Sequence, residues 1–116
     1  MDRITLYHNP ACSHSRSAVS LLTERGVGFD TIEYLKTPPT RETLERIIAM
    51  LQGPATDLVR KDKRFEELTL KAGDYTAKET VIPLLLEHPE LMQRPIVIRG
   101  GRAIIARPAN LLESLF

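Results

Sequence analysis

The stretch from Arg94 to Pro108 constrains the fold most. It reads Arg94-Pro95-Ile96-Val97-Ile98-Arg99, then Gly100-Gly101, then Arg102-Ala103-Ile104-Ile105-Ala106, and closes on Arg107-Pro108. Two β-rich runs joined by two glycines predict an antiparallel hairpin on a tight turn. An Arg-Pro pair sits at each open end, just before the first strand and just after the second. A residue that precedes proline is biased towards extended backbone. The two ends of a hairpin lie side by side, so both guanidinium groups can reach a common point. Any one arginine is ordinarily a solvated surface charge. A pair held this way offers two planar forks of donors, which suit a tetrahedral oxyanion better than lysine does.

Upstream, residues 3–8 alternate in polarity and predict a strand. From Ser13 to Arg25 the pattern turns helical, with Ala18, Leu21 and Leu22 on one face and Gly26 and Gly28 ending it. Phe29 to Leu35 predicts a second strand, parallel to the first because a helix connects them. The Thr37-Pro38-Pro39-Thr40 segment opens a different region. There Thr40 is an expected N-cap, with Leu44, Ile47, Ile48 and Leu51 along one helical face and Gly53-Pro54 as the stop. Residues 55–75 are polar and predict short helices joined by turns. Thr76 and Glu79 have capping-box spacing ahead of an apolar stretch through Leu86. Pro83 lies inside it and predicts a kink or a later start, since an interior proline costs about 3 kcal/mol. After the hairpin, Pro108 is expected at the first position of a last helix carrying Leu111, Leu112 and Leu115.

The order is therefore βαβ, a helical insertion, then ββα. With residues 37–90 set aside, the core (1–36 and 91–116) follows the α/β plan of a thioredoxin-like domain. That plan is a mixed four-stranded sheet with the nucleophile where the first strand meets the first helix. A chain of 116 residues suits one such domain, 1–116, with its insertion.

Cys12, the only cysteine, falls at that junction, in His8-Asn9-Pro10-Ala11-Cys12-Ser13-His14-Ser15-Arg16. A thiol at a helix start faces unpaired backbone N–H groups and the positive end of the dipole. Such settings lower a cysteine pKa from about 8.5 into the range of roughly 3.5–7.5. A lone cysteine is more often a buried small hydrophobe, but polar turn-forming neighbours argue against that here. Ser15 occupies the second place of a Cys-x-x-Cys motif, so any disulfide chemistry must take its second sulfur from another molecule. His8 is expected at the strand end, where it could support the thiolate if protonated or hydrogen-bond the loop if neutral. A half-exposed structural histidine is about as good a reading.

Several alternatives are excluded. His8, Cys12 and His14 lack a fourth protein ligand and zinc spacing, so no metal is expected. The Cys-x5-Arg anion loop of phosphatases is absent, because Ala18 stands where its arginine would be. Arg16 is assigned a capping or structural role. A formal charge of +1 gives no reason to expect nucleic acid or membrane partners, and no apolar run is long enough to cross a bilayer or serve as a secretory signal. A single cysteine and no signal point to the cytoplasm.

Tyr7-His8-Asn9-Pro10-Ala11-Cys12 followed by Ser15-Arg16 resembles the active-site signature of the glutaredoxin-coupled arsenate reductase family. Leu58-Val59-Arg60-Lys61, Arg94-Pro95-Ile96-Val97 and Ala106-Arg107-Pro108 fit the same pattern in order, as do Tyr34-Leu35, Pro38-Pro39 and His88-Pro89. The resemblance implies a thioredoxin-like fold and reduction of arsenate to arsenite, in arsenic detoxification. Glutathione would be co-substrate, glutaredoxin the partner, and no bound cofactor is implied. It gives Cys12 the nucleophile's role, His8 a supporting role, and Arg60, Arg94 and Arg107 the oxyanion. Pro95 is expected cis, as at the matching position of thioredoxin-like folds. Ser13-His14 departs from the smaller Gly-Thr pair of well-characterised members, and an end at Phe116 suits a short branch of the family. Two other readings keep the fold. One is a monothiol glutathione-dependent oxidoreductase with another substrate. The other is a transcription regulator that binds RNA polymerase, whose redox switch Ser15 would remove.

Overall fold

The computed structural model describes residues 3–116, which form two compact units. One runs through Thr37 and resumes at Arg94–Phe116; the other is Pro38–Gln93.

The first unit is built on four strands: β1 (Ile4–His8), β2 (Phe29–Glu33), β3 (Ile96–Arg99) and β4 (Arg102–Ile105). Their order across the sheet is β2-β1-β3-β4, with β1 parallel to β2 and antiparallel to β3, and β3 antiparallel to β4. This is the mixed sheet of the expected thioredoxin-like plan. Helix α1 (Ser13–Glu24) makes the parallel crossover and ends where Gly26 takes a left-handed φ of 68°. Gly100 turns the hairpin with a φ of 61°, while Gly101 needs no such angle. A positive angle at the first central residue alone is the type II′ pattern.

Ile4 and Leu6 of β1, Val97 of β3 and Ile104 of β4 pack with Ala18 and Leu22 of α1 into one apolar cluster. Ala106, Ala109, Leu112 and Leu115 complete it. These last three come from a 3-10 helix, Ala109–Leu115, rather than from an α-helix opened by Pro108. A 3-10 helix has three residues per turn, so 109, 112 and 115 share one face and Leu111 is turned outward, half exposed. Pro108 stands just outside it in extended backbone. The segment is tied down by Arg99 Nη1 to the Leu115 carbonyl and Arg102 Nη1 to the Ser114 carbonyl, both 2.7 Å, and by the Arg25–Glu113 ion pair. Arg25 and Arg99 also lie over the Phe116 ring, at 4.2 and 4.9 Å.

The second unit carries α2 (Arg41–Met50), α3 (Lys63–Glu67), α4 (Lys78–Glu87) and 3-10 turns between them. Thr40 caps α2 by accepting the Thr43 N–H at 3.2 Å, as its sequence position predicts. Leu44 and Ile47 are the buried residues of α2, and Val81, Ile82, Leu84 and Leu85 those of α4. The capping box expected at Thr76 is absent: α4 starts later, after an Ala77 cap that offers no side-chain bond, and it keeps Pro83 inside it. Phe65 and Tyr75 meet edge to face at 6.0 Å. Among the described residues no helix is long and apolar enough to cross a membrane.

Candidate active site

The sheet registers bring the residues of interest into one row. His8 pairs with Glu33 across β1 and β2, so the next pair beyond the strands is Asn9 and Tyr34. Tyr7 pairs with Ile96, and two positions further Asn9 falls opposite Arg94. Ile96 pairs with Ile105, and the same extension sets Arg94 opposite Arg107. The Ala106 N–H donates to the Pro95 carbonyl at 3.0 Å, which carries the hairpin pairing past its last strand residue. Tyr34, Asn9, Arg94 and Arg107 thus line the end of the sheet at which β1 delivers the chain to α1. The Arg94–Pro95 peptide is cis, as expected; Arg107–Pro108 is cis as well, which the sequence did not suggest.

Cys12 is the N-cap residue of α1, with extended backbone at φ −96° and ψ 125°. The turn before it is closed by its own N–H, which donates to the Asn9 carbonyl at 2.9 Å. Asn9 Oδ1 accepts the Ala11 N–H at 3.0 Å, an Asx turn of the kind that Asn-Pro sequences favour. On the other side the Ser15 hydroxyl, fully buried, accepts the Asn9 N–H at 3.3 Å. Arg16 donates to the Pro10 carbonyl at 2.9 Å and so braces the loop, the structural role assigned to it. The four residues from Asn9 to Cys12 are thus each held by a hydrogen bond within the loop or to the start of α1.

The sulfur is partly buried, and burial alone would raise its pKa. Against this act the Ser15 backbone N–H, the Arg94 side chain and the His14 backbone N–H, and together they bring the thiol below its ordinary value. These are the helix-start donors and the guanidinium charge that the sequence predicts. Arg107 adds a contact of 3.8 Å from Nη1 to Cys12 Sγ, and the same nitrogen donates to the Arg94 carbonyl at 3.2 Å. The arginine after β4 is therefore anchored on the backbone of the one before β3. Both ends of the hairpin meet at the thiol.

His8 differs from the protonated form considered above. Burial, the largest influence, lowers its pKa; Glu33 raises it and Arg16 lowers it further. Its Nδ1 is shut away from solvent with no hydrogen-bond partner, so the neutral ring is favoured. The positive charges near the sulfur are those of the arginines. Arg60 belongs to the helical unit, where its N–H donates to the Leu91 carbonyl at 2.7 Å and its guanidinium pairs with Asp62 at 3.2 Å. Two participants in the row carried no assigned role from sequence, Asn9 and Tyr34. Asn9 could have been found from its place before proline; Tyr34 lies one residue past a strand end, a boundary that periodicity does not fix.

Chemically, the arrangement is a thiol with a lowered pKa, cationic donors converging on it and, among the described residues, no second thiol. It suits attack on a small electrophilic oxyanion.

Comparisons with known proteins agree on one family. A family model described as the ArsC family matches residues 7–114. An arsenate reductase of Neisseria meningitidis (serogroup A) is 37% identical over 99% of this chain and 99% of its own. An arsenate reductase of Escherichia coli K12 is 37% identical over 97% of this chain and 79% of its own. Among solved structures, an arsenate reductase from Vibrio cholerae superposes with a TM-score of 0.88 at 32% identity, covering 99% of this chain and 98% of that one.

Proposed function

The chain belongs to the ArsC family, and on that premise we propose that it reduces arsenate to arsenite through Cys12, with glutathione and glutaredoxin supplying the electrons. The observation that carries the reading is the convergence of Arg94 and Arg107 on one sulfur whose pKa is held down. A nucleophile whose ionised form is favoured, beside fixed cationic donors, is what attack on an anion requires.

The Cys12 thiolate attacks arsenic. A sulfur–arsenic bond forms, an arsenic–oxygen bond breaks, and the leaving hydroxide takes up a proton and departs as water. Arsenic is still As(V). A glutathione thiolate then attacks the Cys12 sulfur: a disulfide forms, the sulfur–arsenic bond breaks, and its electron pair goes to arsenic, which leaves as As(III). Glutaredoxin, through its own thiol, takes the glutathionyl group and frees Cys12. The balance is one arsenate and two thiols giving arsenite, one disulfide and water. An external second thiol is needed because Cys12 is the chain's only cysteine and Ser15 stands at the resolving place.

Arg94 and Arg107 neutralise the charge of the oxyanion and shield the approach of one anion to another. His8 serves as a neutral ring against the loop, and Pro95 sets the backbone behind Arg94. The resemblance also implies an anion-binding role for Arg60, which Arg60→Ala tests. A thiol that works with glutathione suits the reducing cytoplasm.

Purified protein with arsenate, glutathione and a matched glutaredoxin should form arsenite, and Cys12→Ser should abolish it. No arsenite above the enzyme-free level with any thiol donor would overturn the reading. Turnover of a glutathione mixed disulfide that survives loss of Arg94 and Arg107 would point instead to a general monothiol oxidoreductase.

A further inference from the structure

Tyr34 is the member of the sheet-end row that neither the chemistry above nor the hydrogen bonds of the Cys12 loop use. It follows β2 directly and is fully buried, at 0% exposure. Its hydroxyl is cut off from solvent without a well-formed hydrogen bond. The side chains that act on that hydroxyl are Arg94 and Asn9, and the Cys12 sulfur is near enough to be felt.

A tyrosine kept only for packing has no use for this oxygen. A buried hydroxyl without a good partner costs about 1–3 kcal/mol, and phenylalanine would fill the same space without that cost. The retained oxygen therefore needs a reason beyond the core. Arg94 supplies one: a guanidinium can only donate, so the phenol oxygen is the acceptor wherever the two meet. Burial holds the phenol above its ordinary pKa, so it stays a neutral acceptor and does not compete with the thiolate for the positive charge. Hydrogen bonds at reacting centres are often long until the reactant is in place.

We propose that Tyr34 is a positioning residue, whose hydroxyl holds the Arg94 guanidinium in the orientation that stabilises the Cys12 thiolate and receives the oxyanion. Tyr34 touches neither sulfur nor substrate; it acts through Arg94. The proposal deepens the reductase reading above, yet the test of it needs no arsenate. Failure of one is therefore distinguishable from failure of the other.

The test is the pH dependence of Cys12 alkylation by iodoacetamide in wild type, Tyr34→Phe, Arg94→Ala and the double variant. Tyr34→Phe should move the thiol midpoint upward by about half a unit, an approximately threefold loss of thiolate at any pH below both midpoints. The same variant should be as resistant to urea as wild type, or more so, because it removes a poorly paired buried hydroxyl. With Arg94 replaced by alanine, adding Tyr34→Phe should change the midpoint no further. An unchanged midpoint in Tyr34→Phe would overturn the proposal. So would an equal shift in both backgrounds, which would mean that Tyr34 acts on the sulfur by some route other than Arg94.

Discussion

The Ser15 hydroxyl accepts the Asn9 backbone N–H at 3.3 Å, at the place where a two-cysteine enzyme of this plan would carry its resolving thiol. The residue that rules out an internal disulfide is thus also a brace of the loop that presents Cys12. Ser15 is fully buried, so removing its oxygen leaves an amide hydrogen without a partner. Ser15→Ala is expected to cost about 1–3 kcal/mol of stability, measurable by urea unfolding. A loss below about 0.5 kcal/mol would mean that the loop holds its shape without this bond.

The thiol makes the fold pH-sensitive in a defined direction. Its folded pKa lies below the ordinary thiol value, so between the two the unfolded chain binds more protons. The contribution to stability is fully present above the unfolded pKa and is lost as pH falls through the depressed folded one. Wild type should therefore gain stability over Cys12→Ser as pH rises from neutral to about 9. Paired thermal melts across that range check it, and a constant difference would contradict it.

His8 acts at lower pH. Burial lowers its folded pKa from the ordinary 6.5, so acid must protonate a ring that the fold prefers neutral. Stability should fall as pH drops below about 6.5, and His8→Gln should flatten that part of the profile. Melting temperatures at pH 7 and pH 5 in both proteins decide it. An equal drop in the two would assign the acid sensitivity elsewhere.

The 3-10 segment at the C-terminus can be tested by two adjacent leucines. Leu112 is wholly buried in the cluster under the sheet, whereas Leu111 is 48% exposed. Leu112→Ala should cost about 2–5 kcal/mol, and Leu111→Ala should stay within about 0.5 kcal/mol. Similar costs at both positions would favour an α-helical register for this segment.

That segment also marks where sequence reading stops. The Arg-Pro pairs, the Gly-Gly turn, the Thr40 cap and the α1 periodicity are local signals, and each produced the element it predicts. Leu111, Leu112 and Leu115 carry no such signal: three leucines at these spacings fit a 3.6-residue period as well as a 3.0-residue one, and packing against α1 and β4 decides between them. Thr76 likewise has capping-box spacing, yet α4 begins at Lys78, since a cap is chosen by where the helix packs. At the site, Cys12, Arg94 and Arg107 were legible because hairpin geometry forces two strand ends together. The neutral state of His8 and the burial of the Tyr34 hydroxyl at this end of the sheet were not. Both depend on burial and on cross-strand register, which only the assembled sheet defines.

The central claim is that electrons pass from glutathione to arsenate through the Cys12 sulfur. Mass spectrometry of the protein incubated with glutathione, with and without arsenate, tests it most directly. The account predicts a single glutathione adduct on Cys12 that forms only when arsenate is present and is absent in Cys12→Ser. A protein that stays unmodified, or an adduct that forms equally well without arsenate, would contradict it.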